Sequence, residues 1–541
     1  MPRVKEDSKI IISYSSDPRD IYWRKLSDTI ISTYGRVKIS HHKLVKQVLL
    51  DVYDFLIKEL DQIIHEEKGF GFYLYVFWLH EQSLDLYFKK LKGYKLQNID
   101  ESEFATYRRI LKLILEQGCD YNFQWPATPT GTEVLRMDEK IQDILYLGCW
   151  AYHIADNIAY QNMVGDYHFI FFDEDSYLGV DYKYHYGHAY ELTVKKAVPD
   201  YAKGTFDNKA QEELSEAVKK CMNIDFVFSR NQIQEIQKFH SSNGSSLQTI
   251  EPYVLPKNLE ANGTEIVNAE IYYSGLTISI DNRLSIDQII RKPYSMQRYF
   301  FRPILVYTIE GVKRALVSLN KFDESLMVIA TNAIHWNALP DEWLQNKCLK
   351  DFMHRKEDEH DKILENEIES DIKKLGLLYD RNIKSLKRFN GNNIVIEHNP
   401  GEIDFIIINL NIKKVFVADA KYHRARYEGV GYYSDYSKFV GYEKRMKIKI
   451  DWIKGHREQV AEHISIVNNI EALDISDYEI EGVFFINTPT FYMFNGDFKA
   501  ITLNKIADFI SGQFDFPRYQ VETDDNIMYL QHPYFRKPVT F

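Results

Sequence analysis

The fold of this chain is constrained most by two short apolar runs in its last third, which a polar turn joins. The runs are Glu402–Asn409 (EIDFIIIN) and Val415–Lys421 (VFVADAK), and the sequence NIKK makes the turn between them. Runs of this length that are rich in Val, Ile and Phe predict strands. A turn this short predicts that the two strands pair as an antiparallel hairpin.

An acidic side chain interrupts each of these runs. If the hairpin loop centres on Asn411 and Ile412, Asp404 lies directly opposite Asp419, with Cβ atoms roughly 4.5–5.5 Å apart. Two carboxylates this close repel each other unless a cation lies between them, and hard oxygen ligands favour Mg²⁺ or Mn²⁺. Lys421 faces the same way as Asp419 because a strand alternates its faces. Such a set suits phosphodiester hydrolysis, where Lys421 could position or deprotonate a water or offset charge on the phosphate. A plain surface salt bridge is the alternative.

The pattern around the hairpin predicts an α-β-β-β-α-β order from Asp351 onward. Apolar residues at helical spacing mark the first helix, and Gly376 suits its end. The predicted elements are helix Lys356–Leu375, strand Asn392–His398, turn Asn399–Gly401, the two hairpin strands, helix Lys449–Val467 and strand Glu481–Pro489. Further upstream, Glu265–Ile280 alternates like a strand.

The segment GEID, followed by VADAK with the second aspartate fifteen residues after the first, resembles the PD-(D/E)XK nuclease superfamily. That superfamily includes archaeal Holliday junction resolvases and many restriction endonucleases. The resemblance implies a restriction-endonuclease-like domain in which Asp404, Asp419 and the Ala420 carbonyl bind Mg²⁺ or Mn²⁺ and Lys421 is catalytic. No proline precedes Asp404, which departs from the nominal motif.

Two further site residues follow from the same resemblance. Members of the superfamily often use a glutamate from the preceding helix, and Glu365 lies eleven residues before Gly376. Glu369 is the alternative candidate for this helix glutamate, and Glu367 is a weaker candidate. Many members also carry a glutamine on the helix after the third strand, which suggests Gln459 in HREQVAEH. Ordinary solvated helix residues are the alternative for each.

The stretch Lys421–Arg457 is the expected nucleic-acid surface. It holds ten Lys or Arg residues against four acids, interleaved with tyrosines and a tryptophan. Basic residues contact phosphates and aromatic rings stack on bases, although a solvated face is the alternative. The candidate contacts are Arg424, Arg426, Lys444, Arg445, Lys447 and Arg457.

A chain of 541 residues is too long for a single core, so several domains are expected. We expect a multidomain α+β protein: a mainly helical recognition or partner domain at 1–240, a linker and small mixed region at 241–350, and the nuclease domain at 351–541. The polar segment His240–Gln248 (HSSNGSSLQ) is the clearest linker. The net charge of −11 restricts nucleic-acid binding to a local basic patch.

The remaining signals concern location and partners. The four cysteines are scattered, which fits a reducing cytoplasm, and neither a signal peptide nor an apolar run of membrane-spanning length is apparent. No nucleotide-binding motif is recognisable.

Together these signals predict a cytoplasmic, prokaryotic, Mg²⁺-dependent endonuclease that cuts DNA. A role in restriction or antiviral defence is suggested only by what members of the superfamily commonly do. A repair, recombination or RNA nuclease is the alternative enzyme. A catalytically inert nuclease-fold interaction protein is the alternative without activity. A separate partner protein and a homodimer both remain open, and no membrane partner is expected.

Overall fold

The computed structural model describes residues 3–4, 10–11, 19–93, 101–127, 129–165, 167–183, 190, 194, 208–242, 249–397, 399–424, 426, 428–514, 518–522 and 527–531. Most of the predicted linker His240–Gln248 lies outside these residues. The described residues fall into two compact units. Unit 1 draws on Met1–Ile158, Ile170–Val180 and Phe206–Lys356, and unit 2 on Ala159–Phe169, Asp181–Thr205 and Glu357–Phe541. The predicted segments 1–240 and 241–350 therefore both contribute to unit 1.

Unit 1 is built mainly from helices. In chain order they are α1 (Arg24–Tyr34), α2 (His42–Glu66), α3 (Phe70–Leu91), α4 (Glu101–Gln117), α5 (Gly131–Met163, which ends in unit 2), α6 (Asn208–Met222), α7 (Phe226–Ser242), α8 (Val254–Ala261), α9 (Ile266–Gly275), α10 (Ile286–Arg291) and α11 (Leu319–Trp336). Its strands include β1 (Arg3–Val4), β2 (Ile10–Ile11), β3 (Asn122–Phe123), β4 (His168–Phe172, which begins in unit 2), β5 (Leu178–Tyr182, which ends in unit 2), β6 (Thr249–Ile250), β7 (Thr277–Ile278), β8 (Ile304–Ile309) and β9 (Val312–Leu316).

A small mixed sheet organises the core of unit 1. Its strand order is β3-β8-β9-β6, and β7 also pairs with β8. The strand predicted at Glu265–Ile280 is wrong for most of its length, because residues 266–275 form helix α9. Ala269, Tyr272 and Tyr273 are buried there at helical spacing, so packing overrides the local alternation.

A disulfide joins Cys221 to Cys348 within unit 1, with Cα atoms 5.4 Å apart. The spacing of the cysteines did not predict this pairing. Disulfides are uncommon in cytoplasmic proteins, so the cytoplasmic location stays a prediction.

Unit 2 contains a five-stranded sheet in the order β10-β13-β14-β15-β16. The first three strands are antiparallel, and β14, β15 and β16 run parallel. The elements of this unit are α12 (Lys347–Lys374, which begins in unit 1), β10 (Leu378–Ile383), β11 (Ser385–Leu386), β12 (Ile394–Val395), β13 (Ile403–Asn409), β14 (Lys414–Lys421), α13 (Gly429–Gly455), α14 (Arg457–Asn468), β15 (Glu479–Ile486), α15 (Tyr492–Asn495), β16 (Lys499–Thr502), α16 (Ile506–Ile510), β17 (Arg518–Glu522) and β18 (Ile527–Gln531).

Helices cover both faces of this sheet, which explains why its central strands are almost continuously apolar. On one face, Ile406 and Val417 pack with Met446 of α13 and Ile464 of α14. On the other, Phe405, Ile407 and Phe416 pack with α12 and α16. Gly482 of β15 is small because a Cβ there would lie 2.5 Å from the Ile450 side chain of α13.

Two predicted elements need correction. The first strand of the sheet is β10, at Leu378–Ile383, and not the segment Asn392–His398. That segment contributes only the two residues of β12, which pair with β11 in a separate ribbon. The helix predicted at Lys449–Val467 is two helices, α13 and α14, that meet at His456.

The mixed α+β class is confirmed, while the restriction-endonuclease-like assignment stays a prediction. Among the described residues, no helix combines the length and the apolar character needed to cross a membrane.

Candidate active site

The β13–β14 hairpin has the register expected from the sequence. Phe405 lies opposite Ala418 and Ile408 opposite Val415, so the loop centres between residues 411 and 412. The side chain of Asn409 fixes the turn by accepting a hydrogen bond of 3.0 Å from the backbone N–H of Asn411. Extending this register by one step sets residue 404 against residue 419.

The two aspartates meet around the ammonium of Lys421. The Lys421 Nζ atom lies 3.5 Å from Asp404 Oδ2 and 3.6 Å from Asp419 Oδ2. It also donates a hydrogen bond of 3.1 Å to the Ala420 carbonyl oxygen. The Ala420 N–H in turn donates to Asp404 Oδ2 at 2.9 Å. The structure thus brings together the four residues that the motif predicts as ligands and catalytic lysine.

The charges of this cluster shift the pKa values of its members. Burial, followed by the charge on Asp419, raises the pKa of Asp404 to about 6. Burial lowers the pKa of Lys421, but the carboxylates of Asp419 and Asp404 outweigh it and leave that pKa above its ordinary value. Lys421 is therefore a stable cation in this arrangement.

Lys449 of α13 completes the cluster, although its sequence pattern did not predict this role. Its Nζ atom lies 2.5 Å from Asp419 Oδ1, and only 7% of the Lys449 side chain and 4% of the Asp419 side chain are exposed. The available signal was a lysine within the apolar stripe formed by Met446, Ile450 and Ile453. Long amphipathic lysines often border such stripes with their charge in water, so the signal is easily dismissed.

The helix acids lie at different distances from the cluster. Glu365 of α12 accepts a hydrogen bond of 3.2 Å from the Asn382 side chain. The β10–β13 register sets Asn382 beside Asp404, so one residue separates Glu365 from the cluster. Glu369 instead accepts from the Tyr379 hydroxyl at 2.6 Å and pairs with Lys373 and Arg381.

Two further acids of α12 bear on the choice between these candidates. Glu367 is exposed. Asp361, one turn before Glu365, was not identified from the sequence. Burial and then Glu357 raise the pKa of Asp361, and Lys421 is among the charges that lower it. The positive charge of Lys421 therefore acts on the helical turn that precedes Glu365.

Gln459 is half-buried on α14, and no hydrogen bond joins it to the Asp404–Asp419 cluster in the described part of the chain. It lies one turn before His463, whose Nε2 atom is 2.8 Å from the Asp380 carboxylate of β10. Asp380 pairs with Ile406, two residues from Asp404. Gln459 therefore stays a prediction.

His423 follows the cluster along the chain and was also missed. Its ring is buried, with centroids 4.6 Å from the Phe439 ring, and its Nε2 atom has no hydrogen-bond partner among the described residues. Asn487 holds the His423 backbone at both ends, accepting from its N–H at 2.7 Å and donating to its carbonyl at 2.9 Å. This clamp fixes the chain as it leaves β14.

The predicted nucleic-acid contacts divide by their surroundings. Lys444 and Arg445 are exposed on α13, five and four residues before Lys449. Lys447 is exposed but pairs with Glu443 and Asp497, Arg426 pairs with Asp435, and Arg424 is half-buried.

Arg457 does not lie at this surface. It donates to the carbonyls of Ile475, Ser476 and Tyr478. Glu479, the residue after Tyr478, pairs with Lys414 at the start of β14. Lys414 lies about 16 Å along this strand from Asp419.

The donor set at the cluster fits a hard divalent cation. Among the described residues, no group of three or more His, Cys, Asp or Glu side chains is arranged to hold a metal ion. The cluster instead offers two carboxylates and a carbonyl around an ammonium that already occupies a cation's position. Mg²⁺ usually takes one or two carboxylates and completes its shell with water, so this set is sufficient.

Comparison of the chain with protein-family models, with curated proteins and with solved structures gives no significant match.

Proposed function

We propose that unit 2 is a divalent-metal-dependent nuclease that hydrolyses phosphodiester bonds of nucleic acid, with DNA as the expected substrate. The observation that carries the proposal is the convergence of Asp404 Oδ2, Asp419 Oδ2 and the Ala420 carbonyl oxygen on one cationic nitrogen. Two carboxylates and a carbonyl oxygen form the kind of hard oxygen donor set that Mg²⁺ prefers.

Asp404, Asp419 and the Ala420 carbonyl would hold the metal. When bound, the cation would neutralise the phosphate and lower the pKa of a water molecule. Glu365 contacts Asn382, which the strand register sets beside Asp404, and from there it would help to orient a water molecule. Its role is then supportive, which separates it from the two aspartates.

Lys421 supplies positive charge to the reacting phosphate. Its raised pKa favours this role over that of a general base, because a base must lose its proton near neutral pH. When a metal takes these oxygens, the Lys421 ammonium would turn toward the phosphate, where its positive charge offsets the negative charge that develops on the phosphate oxygens. The Tyr442 ring borders this ammonium, with its centroid 5.4 Å from Lys421 Nζ.

The exposed side chains of Lys444 and Arg445 are the best-placed contacts for the nucleic-acid backbone. Both lie on α13 within about one turn of Lys449, which contacts Asp419 directly. Phosphate contacts of this kind set the position of the nucleic acid without reading its sequence.

The test is cleavage of plasmid, linear duplex, single-stranded DNA and RNA by the full chain with Mg²⁺ or Mn²⁺. We expect metal-dependent cleavage that is lost in Asp404→Asn and Asp419→Asn and kept in Asp451→Asn, which alters an exposed acid on α13. If no substrate is cut at any metal concentration, the inert interaction protein becomes the better interpretation. Restriction of phage growth that depends on Asp404 would support a role in defence.

A further inference from the structure

Unit 1 buries a cluster of charges that is independent of the proposed nuclease site. Three cations converge on the Glu324 carboxylate of α11. Arg108 and Lys112 reach it from α4, the latter at 3.2 Å, and Lys321 reaches it at 2.7 Å from within α11. All four side chains are almost fully buried. Burying cations in such excess is expensive unless further negative charge compensates them.

The other buried arginines of unit 1 show what a balanced arrangement looks like. The Arg298 Nε–H donates to both carboxylate oxygens of Glu116, which also accepts the N–H of Tyr299. Arg302 pairs with Glu342 through two hydrogen bonds and also donates to backbone carbonyls. Each of these arginines has its own carboxylate, so the excess around Glu324 is a local property of that cluster.

A second carboxylate, Glu81 of α3, compensates only part of the excess. It accepts a hydrogen bond from the Ser318 hydroxyl. Burial raises the pKa of Glu81 to about 7, so near neutral pH this carboxyl is only partly ionised. Burial also lowers the pKa of Lys112 well below its ordinary value and lowers that of Lys321, so an anion that entered the cluster would favour the charged form of both lysines.

Several buried polar atoms in the cluster lack hydrogen-bond partners among the described residues, and one of them is an acceptor, Glu81 Oε1, which lies 3.8 Å from His80 Nδ1. Both ring nitrogens of His80 and the hydroxyl of Tyr299 have no hydrogen-bond partner among the described residues, and His80 is fully buried. Their ring centroids lie 5.4 Å apart, and the Lys321 ammonium lies 5.1 Å from the Tyr299 ring. The Arg108 Nε atom is likewise unpaired. Leaving such donors unpaired costs free energy that a ligand would recover.

The cluster also lies at the start of a long helix. Ser318 is the N-cap of α11 and accepts from the Lys321 N–H. The positive end of the helix dipole therefore adds to the field of the three cations. One edge of the charge cluster reaches solvent, because 22% of the Glu81 side chain and 10% of the Arg108 side chain are exposed.

We propose that this cluster binds a phosphate-type oxyanion, either free or as the terminal group of a larger molecule. Its oxygens would compensate Arg108, Lys112 and Lys321 and accept from His80 and Tyr299. Guanidinium and ammonium groups favour tetrahedral oxyanions of this kind.

The test is titration of the full chain with inorganic phosphate and with adenosine 5′-monophosphate, by isothermal titration calorimetry and by thermal unfolding in a phosphate-free buffer. Saturable binding and a rise in Tm are expected. Binding of both probes assigns the site to a phosphate monoester, and binding of inorganic phosphate alone assigns it to the free anion.

Tyr299→Phe is the decisive variant because it removes one hydroxyl without opening a cavity. We expect it to weaken phosphate binding about 10- to 100-fold, which is typical for a lost hydrogen bond to a charged group. Tyr272→Phe is the matched control, since Tyr272 is equally buried in unit 1 and hydrogen-bonds Ser229 instead. Wild-type protein that binds neither probe at millimolar concentration overturns the proposal. Equal affinity in wild type and Tyr299→Phe does so as well.

Discussion

Replacing Lys449 by methionine should destabilise the metal-free protein and increase its stabilisation by Mg²⁺. Methionine keeps most of the side-chain volume but removes the ammonium that lies 2.5 Å from Asp419 Oδ1. Removing one partner of a buried ion pair typically costs about 3–5 kcal/mol, because the other charge remains buried. Lys421 still lies 3.6 Å from the other oxygen of Asp419, so we expect the lower end, about 3 kcal/mol.

Magnesium should recover much of this loss. In the wild type, a cation that approaches Asp419 meets a carboxylate already paired with Lys449. In the variant that carboxylate is released, and the cation supplies the missing charge. A ligand present at a hundred times its Kd stabilises the folded state by about 2.7 kcal/mol, so the rescue should be nearly complete.

Differential scanning calorimetry in EDTA and over a MgCl₂ series measures both effects. Lys454→Met is the matched control, because Lys454 is an exposed lysine on the same helix. An EDTA scan in which Lys449→Met unfolds like the control would contradict the buried ion pair. Equal stabilisation of wild type and Lys449→Met by Mg²⁺ would show that Asp419 does not bind the metal.

Three further outcomes are expected. Lys421→Ala should fold normally, as judged by circular dichroism, yet cut about 10²–10³ times more slowly, because a positive charge is lost from the transition state. Cleavage at the wild-type rate by a folded variant would refute this role. The pKa of Asp404 is raised to about 6 in the metal-free protein, so at metal concentrations below saturation this carboxyl should be increasingly protonated and cleavage should fall as the pH drops below 6. A flat pH–rate profile between pH 5 and 8 at such metal concentrations would contradict Asp404 as a ligand. The double variant Lys444→Glu, Arg445→Glu should weaken nucleic-acid binding and reduce the slope of log affinity against log salt concentration by about two units, whereas Lys454→Glu should have a smaller effect. Fluorescence anisotropy over a salt series measures both slopes. An unchanged slope in the double variant would place the nucleic acid elsewhere.

The hairpin could be predicted because its determinants are local. Turn length fixes the register of a hairpin, and strand alternation then fixes which side chains share a face. Asp404, Asp419 and Lys421 are all specified by these two rules, and the observed pairing of Phe405 with Ala418 agrees with them.

Strand β10 could not be predicted in the same way. Its sequence LYDRNI carries polar residues at its centre, and several of its side chains are only half-buried because it lies at the edge of the sheet. Its polar groups find partners on helices: Asp380 contacts His463, which lies far along the chain, and Tyr379 donates to Glu369 of the preceding helix. The segment Asn392–His398 contains the uninterrupted apolar run Ile394–Ile396, yet its two strand residues, Ile394 and Val395, pair in a ribbon outside the sheet.

Lys449 was missed for a different reason, which concerns how α13 meets the sheet. Sequence periodicity identifies the buried face of a helix but not which strand residue it covers. Gly482 allows α13 to pack closely on β15, with Met446 and Ile450 over the glycine. The neighbouring position on the helix then reaches Asp419, and only tertiary packing establishes that contact.

The charge balance of the completed cluster links metal binding to substrate binding. Asp404 and Asp419 together carry two negative charges when ionised, and Lys421 and Lys449 carry two positive charges. A divalent cation added to this neutral set leaves a net positive charge in a largely buried place, which is unfavourable. A phosphate group supplies the compensating negative charge. Metal and nucleic acid should therefore bind more tightly together than separately, and by linkage each raises the affinity for the other by the same factor. A neutral resting site of this kind would hold its metal weakly until a phosphodiester is present.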